Sequence, residues 1–168
     1  MERVVSEWKS VRPDLDFSPI TVFARLYLAG RLAERFYEAS VAPYGLSSPD
    51  FFVLCELRRA GPPWRLSPTD LFRTLIRSSG GMTKQLDKLA ADGLITRLAD
   101  ARDRRKLLVE LTPRGLDLVD RALTHHIANE EAVLAGLSRA QLADLVVSLQ
   151  TVIDRLHQEQ AGTAHRDP

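Results

Sequence analysis

A single cysteine, Cys55, stands among 168 residues, so no internal disulfide framework can form. Long apolar runs are missing too. None approaches the roughly 20 residues of a membrane span, and the charged N-terminus has no signal-peptide core. A cytoplasmic location with no membrane partner is the expectation. Net charge is nearly absent, +1 in all, and by itself says nothing about a polyanionic partner. There is no nucleophile with base and orienter, no phosphate-cradling loop and no paired-carboxylate site, so the chain does not read as an enzyme and no cofactor is implied. Internal repeats and low-complexity segments are also missing. What remains is a folded chain, 45% apolar, of a length for one compact domain or a domain with dimerising arms.

The charge that is present is unevenly placed. Between Arg65 and Arg114 there are eleven Lys or Arg against six Asp or Glu, a local +5 that the ends of the chain offset. Such a centre favours a polyanion.

Within it, residues 78–93 read as a helix with two faces. Met82, Leu86, Leu89 and Ala90 recur at three- and four-residue steps and share an apolar side. Thr83, Lys84, Gln85 and Lys88 lie off that side. Ser78 or Ser79 can cap its start, and Gly93 is placed to end it. Two glycines in the first turn cost about 1 kcal/mol each relative to alanine, which suits a backbone that must come close to something. Upstream, Ser67-Pro68-Thr69-Asp70 opens a short helix with a capping signature. Downstream, residues 94–98 and 107–111 look like strands around a basic loop, 99–106. The order predicts a winged helix-turn-helix.

Helices are expected also at 3–11, from Ser18 to about Val41, from Ser48 to Arg59, from Arg114 to about Ala135, and from the capping box Ser138–Gln141 onward. The fold expected is mainly α with a small β wing. Residues 1–45 would form N-terminal dimerisation helices, 46–111 the winged core, 112–158 C-terminal dimerisation helices and 159–168 a loose polar tail. The terminal helices carry apolar stripes with few internal partners, which points to a second copy.

The residues Asp100-Ala-Arg102-Asp103-Arg-Arg105 match a wing pattern Asp-x-Arg-Asp-x-Arg. They follow Leu86-Asp87-Lys88-Leu89 and Gly93-Leu94-Ile95, and precede Leu111-Thr112-Pro113-Arg114-Gly115. In these stretches the chain resembles the multiple antibiotic resistance regulator (MarR) family of bacterial transcription factors, from about Ser18 to Leu156. The resemblance implies a two-fold dimer whose first and last helices interlock, and release from DNA by a small molecule.

Read for double-stranded DNA, the helix start suits a phosphate, assigning Ser78, Ser79 and Gly80 to phosphate and near-edge contacts. Thr83, Lys84, Gln85 and Lys88 become the base-reading candidates in the major groove. Arg102 is the candidate for minor-groove insertion. Asp100 and Asp103 would be wing scaffold, and Arg104 and Arg105 phosphate or scaffold groups. Two such helices in a dimer would address a pseudo-palindrome with half-sites about 34–36 Å apart.

Trp8 and the stretch 12–16 also resemble a subgroup with an extra N-terminal helix, some of whose members respond to urate. Phe52 stands where that subgroup has an acid and Gln85 where it has an arginine. These departures tell against urate and leave an aromatic or phenolic effector as the expectation, with Trp8 and Phe52 as candidate contacts. For Trp8 simple packing is the competing reading. Cys55 invites a redox reading, but a free cysteine between Phe51 and Leu54 is ordinarily a small buried hydrophobe. His125, His126, Glu130 and Glu131 read as a solvated face rather than a metal site. The expected function is a homodimeric, effector-released regulator, a repressor. The alternatives are a winged-helix module that binds protein, or a Cys55-based redox-responsive regulator.

Overall fold

The computed structural model describes residues 2–75, 79–99 and 107–163. Among the described residues seven helices and three strands follow one another in the order α1 (Glu2–Val11), α2 (Ser18–Val41), α3 (Ser48–Arg59), β1 (Arg65–Leu66), α4 (Pro68–Leu75), α5 (Ser79–Ala91), β2 (Ile95–Ala99), β3 (Leu107–Leu111), α6 (Pro113–Leu134) and α7 (Arg139–Thr163). A short 3-10 turn, Ala42–Tyr44, joins α2 to α3 and closes on Gly45 at φ 70°.

Several helix starts are satisfied by side chains. Ser47 Oγ accepts the Asp50 N–H at 3.3 Å and opens α3. Ser67 takes the Asp70 N–H at 3.1 Å and donates its hydroxyl to that carboxylate at 2.6 Å. At the start of α7, Ser138 and Gln141 form the reciprocal box, at 3.3 Å and 2.9 Å.

The sheet is antiparallel with order β1-β3-β2. Strands β2 and β3 pair from Ile95↔Leu111 to Ala99↔Leu107, and β1 adds Arg65↔Glu110 and Leu66↔Val109 on the far edge of β3. The sequence reading had no β1, because two residues are too few for an alternating pattern.

Two compact units divide the chain, Met1–Ile127 and Ala128–Pro168. In the first, α1 and α2 belong with the winged core. Its interior is built from Phe51, Leu54 and Leu57 of α3, Leu71 of α4, Met82, Leu86 and Leu89 of α5, Ile95, Val109 and Leu111 of the sheet, and Val119 and Ala122 of α6. The second unit holds the end of α6 and all of α7. Helix α7 continues through Thr163, into the segment 159–168 expected to be a loose tail. Gln, Glu and Ala in that segment are good helix formers, and no proline interrupts them. Residues 164–168 lie outside the described residues. Among the described residues no single helix is long and apolar enough to cross a membrane.

Candidate nucleic-acid interface

Helix α5 is seated through one face. Met82, Leu86 and Leu89 are buried in the core, as three- and four-residue spacing requires. Thr83 and Lys84 stand exposed on the other side. The helix ends where Gly93 takes φ 68°, with its N–H on Ala90 O at 3.0 Å and the Leu94 N–H on Leu89 O at 3.0 Å. This glycine-dependent cap turns the chain directly into β2. An ion pair from Arg97 of β2 to Asp87, 2.6 Å, then holds the helix flank against the sheet.

Not all of the expected reading face is free. Gln85 is half-buried, and its Nε2 is shielded from solvent with no hydrogen-bond partner among the described residues. Lys88 is exposed along its stem, but its Nζ lies 2.7 Å from Asp50 Oδ2 and 3.5 Å from Asp92 Oδ2. The hydrogen bond with Asp50 raises the Lys88 pKa above its ordinary value, against a smaller opposing cost of desolvation. Asp50 is an interface residue that sequence reasoning missed. In the chain it looks like an ordinary first-turn acid of α3. Only the fold brings it to α5, 38 residues on.

Ser79 and Gly80 form the first turn of α5. Ser78 and the wing residues Asp100, Arg102, Asp103, Arg104 and Arg105 lie outside the described residues, although β2 and β3, which carry the wing, are both in place. Between α4 and α5 a groove of about 260 Å³ opens, lined by Pro68, Thr69, Phe72, Met82, Thr83 and Leu86.

The base of the wing is clamped to α6. Thr112 Oγ1 donates to Gly93 O at 2.8 Å and accepts the Gly115 N–H at 3.0 Å. Gly115 packs so closely that a Cβ there would lie 2.0 Å from Leu94 O.

The two candidate effector contacts sit in different aromatic groups. Trp8 stacks on Phe17, centroids 5.8 Å apart, whereas Phe52 meets Tyr37 edge-on at 5.5 Å. The polar groups at 12–16 are paired locally. Arg12 binds Asp14 at 2.7 and 2.6 Å, holding that carboxyl below its ordinary range, and Asp16 accepts from Ser18.

His126 departs from the expected solvated face. It is 5% exposed, with Nδ1 3.0 Å from Ser40 Oγ and the rings of Phe36, Tyr37 and Phe51 around it. The sequence signal was available: His126 falls in register with Val119 and Ala122, both buried on α6. His125, next to it, is exposed and meets Tyr44. Cys55 is half-buried, and desolvation, with smaller contributions from Glu56 and Asp120, pushes its thiol up from 9.0 to about 12. Such a thiol carries almost no thiolate near neutral pH, and the thiolate is the reactive form.

This arrangement, a helix pair followed by a two-stranded wing, has close counterparts among known proteins. The MarR family model matches residues 46–107. The HTH-type transcriptional regulator PecS of Dickeya dadantii is 32% identical over 142 residues, which cover 84% of this chain and 86% of PecS. The chain belongs to the MarR family. This MarR-family regulator is also similar to solved structures. A cysteine-to-serine mutant of MarR from E. coli, complexed with operator DNA, has a TM-score of 0.70 at 25% identity, over 81% of this chain and 96% of that one. BpsR of Bordetella bronchiseptica, whose DNA binding is regulated by 6-hydroxynicotinic acid, has 0.71 at 26%, over 83% and 97%. These relatives are transcriptional regulators and not enzymes, and the MarR-family chain is a transcriptional regulator with them.

Proposed function

We propose that this MarR-family regulator acts as a homodimeric repressor that binds a pseudo-palindromic operator and is released by a small aromatic or phenolic effector. The observation that carries the DNA reading is the two-sidedness of α5. Its apolar residues are locked into the core while Thr83 and Lys84 are offered outward from the N-terminal half, the half that meets base edges in helix-turn-helix proteins. Arg102, Arg104 and Arg105 would add minor-groove and phosphate contacts from the wing, with Asp100 and Asp103 as scaffold. Ser78, Ser79 and Gly80 would meet phosphate at the helix start.

Dimerisation is supported by the apolar side chains that α1, α2 and α7 leave uncovered. Val11 and Tyr27 are each 70% exposed, and Val146 and Val147 66%. On this reading 1–45 and 112–158 pack against a partner copy around the 46–111 core. The effector reading is supported by the similarity to BpsR and by the aromatic groups around Trp8 and Phe52.

Fluorescence anisotropy with labelled fragments from the protein's own upstream region, against scrambled fragments at two salt concentrations, tests the proposal. A preference of about a thousandfold or more for the native fragment, falling steeply with salt, is expected. Absence of binding to either fragment even at low salt would overturn it.

A further inference from the structure

We infer that Lys88 is a positioning residue, which with the buried carboxylate of Asp50 fixes how α5 stands on α3 and does not itself read bases. The inference rests on the DNA-binding role proposed above.

Asp50 is the unusual member of the pair. Its side chain is 4% exposed, against 52% for Lys88, and a carboxylate withdrawn so far from water requires a charged or hydrogen-bonding partner. An acid three residues past a serine cap ordinarily turns back to that cap, as Asp70 does towards Ser67 in α4. At α3 the serine cap is the same, but the acid's carboxylate is placed differently. Ser47 Oγ takes the Asp50 N–H, and Glu38 of α2 reaches across to take the Ser48 N–H at 2.9 Å. The Asp50 carboxylate instead meets Lys88 Nζ of α5 at 2.7 Å.

Apolar contacts under α5 give it affinity for the core but little directional constraint, since burial does not depend on angle. A charge-assisted hydrogen bond between one atom of α3 and one of α5 supplies that direction. The position of Lys88 agrees. It lies one turn beyond Lys84, away from the N-terminal end that enters a groove, and a second carboxylate, Asp92, draws on the same ammonium. A cation flanked by two carboxylates displaces few counterions from DNA. Glu38 separately fastens the first turn of α3, which carries Asp50, to α2.

The test uses the full-length protein and a duplex that it selects itself from a randomised pool, with a mixed-sequence duplex as reference. Wild type, Lys88→Met, Lys88→Arg, Asp50→Asn and the double variant Asp50→Asn/Lys88→Met are titrated at several salt concentrations, with every base pair of the selected duplex mismatched in turn. Lys88→Met is expected to lose about tenfold or more on the selected duplex and little on the mixed one. Its salt slope should stay at the wild-type value, and its loss of discrimination should spread over the half-site. Asp50→Asn should weaken specific binding similarly although it removes a negative charge. The double variant should be no worse than either single one, and Lys88→Arg should retain binding.

A salt slope shallower by about one unit, with equal loss on both duplexes, would make Lys88 a phosphate contact and overturn the inference. So would discrimination lost at one base pair alone, or Asp50→Asn binding as tightly as wild type. If Asp50→Asn does not fold, the slope and mismatch profile of Lys88→Met decide alone. Failure of the wild type to select any duplex overturns the regulator reading and this inference with it.

Discussion

Gly115 shows how little room one position can have. Its backbone lies against Leu94 O, so the methyl group of an alanine would meet that oxygen at 2.0 Å. Gly115→Ala must push α6 away from the β2 entrance, and overpacking of this kind costs about 1–3 kcal/mol or more. A thermal melt of the variant should fall several degrees below wild type, since each kcal/mol is worth about 2–4 °C in a chain of this size. At Cys55 the expectation concerns pH. The native thiol holds its proton up to about pH 12 and the unfolded one only to about 9. The native state therefore binds more protons above pH 9. Its contribution to stability is full below pH 9 and declines as pH rises towards 12. Alkylation by iodoacetamide at pH 7.5 should be slow in the folded protein and fast in urea; rapid native labelling would restore the redox reading.

At the scale of elements, the wing is where affinity can be separated from assembly. Arg102→Ala is expected to weaken operator binding by about 1–3 kcal/mol and to leave the sedimentation coefficient unchanged. Unchanged affinity would remove the wing tip from the mechanism. The same stretch shows what was legible in the chain. Caps and periodicity gave the starts of α3, α4, α6 and α7 to within about a residue, because Ser47, Ser67, Thr112 and Ser138 satisfy helix ends locally, whereas the end of α7 runs to Thr163, past the point where polarity suggested a loose tail. The apolar stripe gave the buried side of α5 for the same reason. Spacing could not give the other side. Gln85 and Lys88 read as outward from the helix alone, but one is half-covered by packing and the other bound by an acid 38 residues away. His126 failed in the opposite sense, since polarity suggested water where its register on α6 led to an aromatic interior.

For the whole molecule, the uncovered apolar surface of α7 is the feature that asks for a partner. Val146 sits in the middle of that helix, 66% exposed, with Leu142, Leu149 and Ile153 in helical register with it. Burying a valine is worth about 1.5–3 kcal/mol, and the two-fold symmetry of the proposed dimer would place each substitution in the interface twice. Val146→Asp should therefore raise the dimer dissociation constant by at least about a hundredfold in analytical ultracentrifugation. Operator affinity should fall with it, and a dimer of wild-type strength would place the interface elsewhere. The sequence alone points to an apolar face through Leu142, Leu145, Leu149, Val152 and Leu156, which shares Leu142 and Leu149 with this stripe.

Strand β1 has a consequence in time rather than in space. Its two residues pair with β3 across 45 positions, and Arg65 and Glu110 reinforce the join. Every residue of α4, α5 and the wing lies inside the loop so closed. The β2–β3 hairpin is local and can zip within microseconds, whereas a contact of that span must first meet a larger loop-closure entropy. The β2–β3 hairpin is therefore expected to form before β1, a buckle two residues long, closes the arc. Weakening the buckle acts on how long the arc stays closed, not on how fast it first forms.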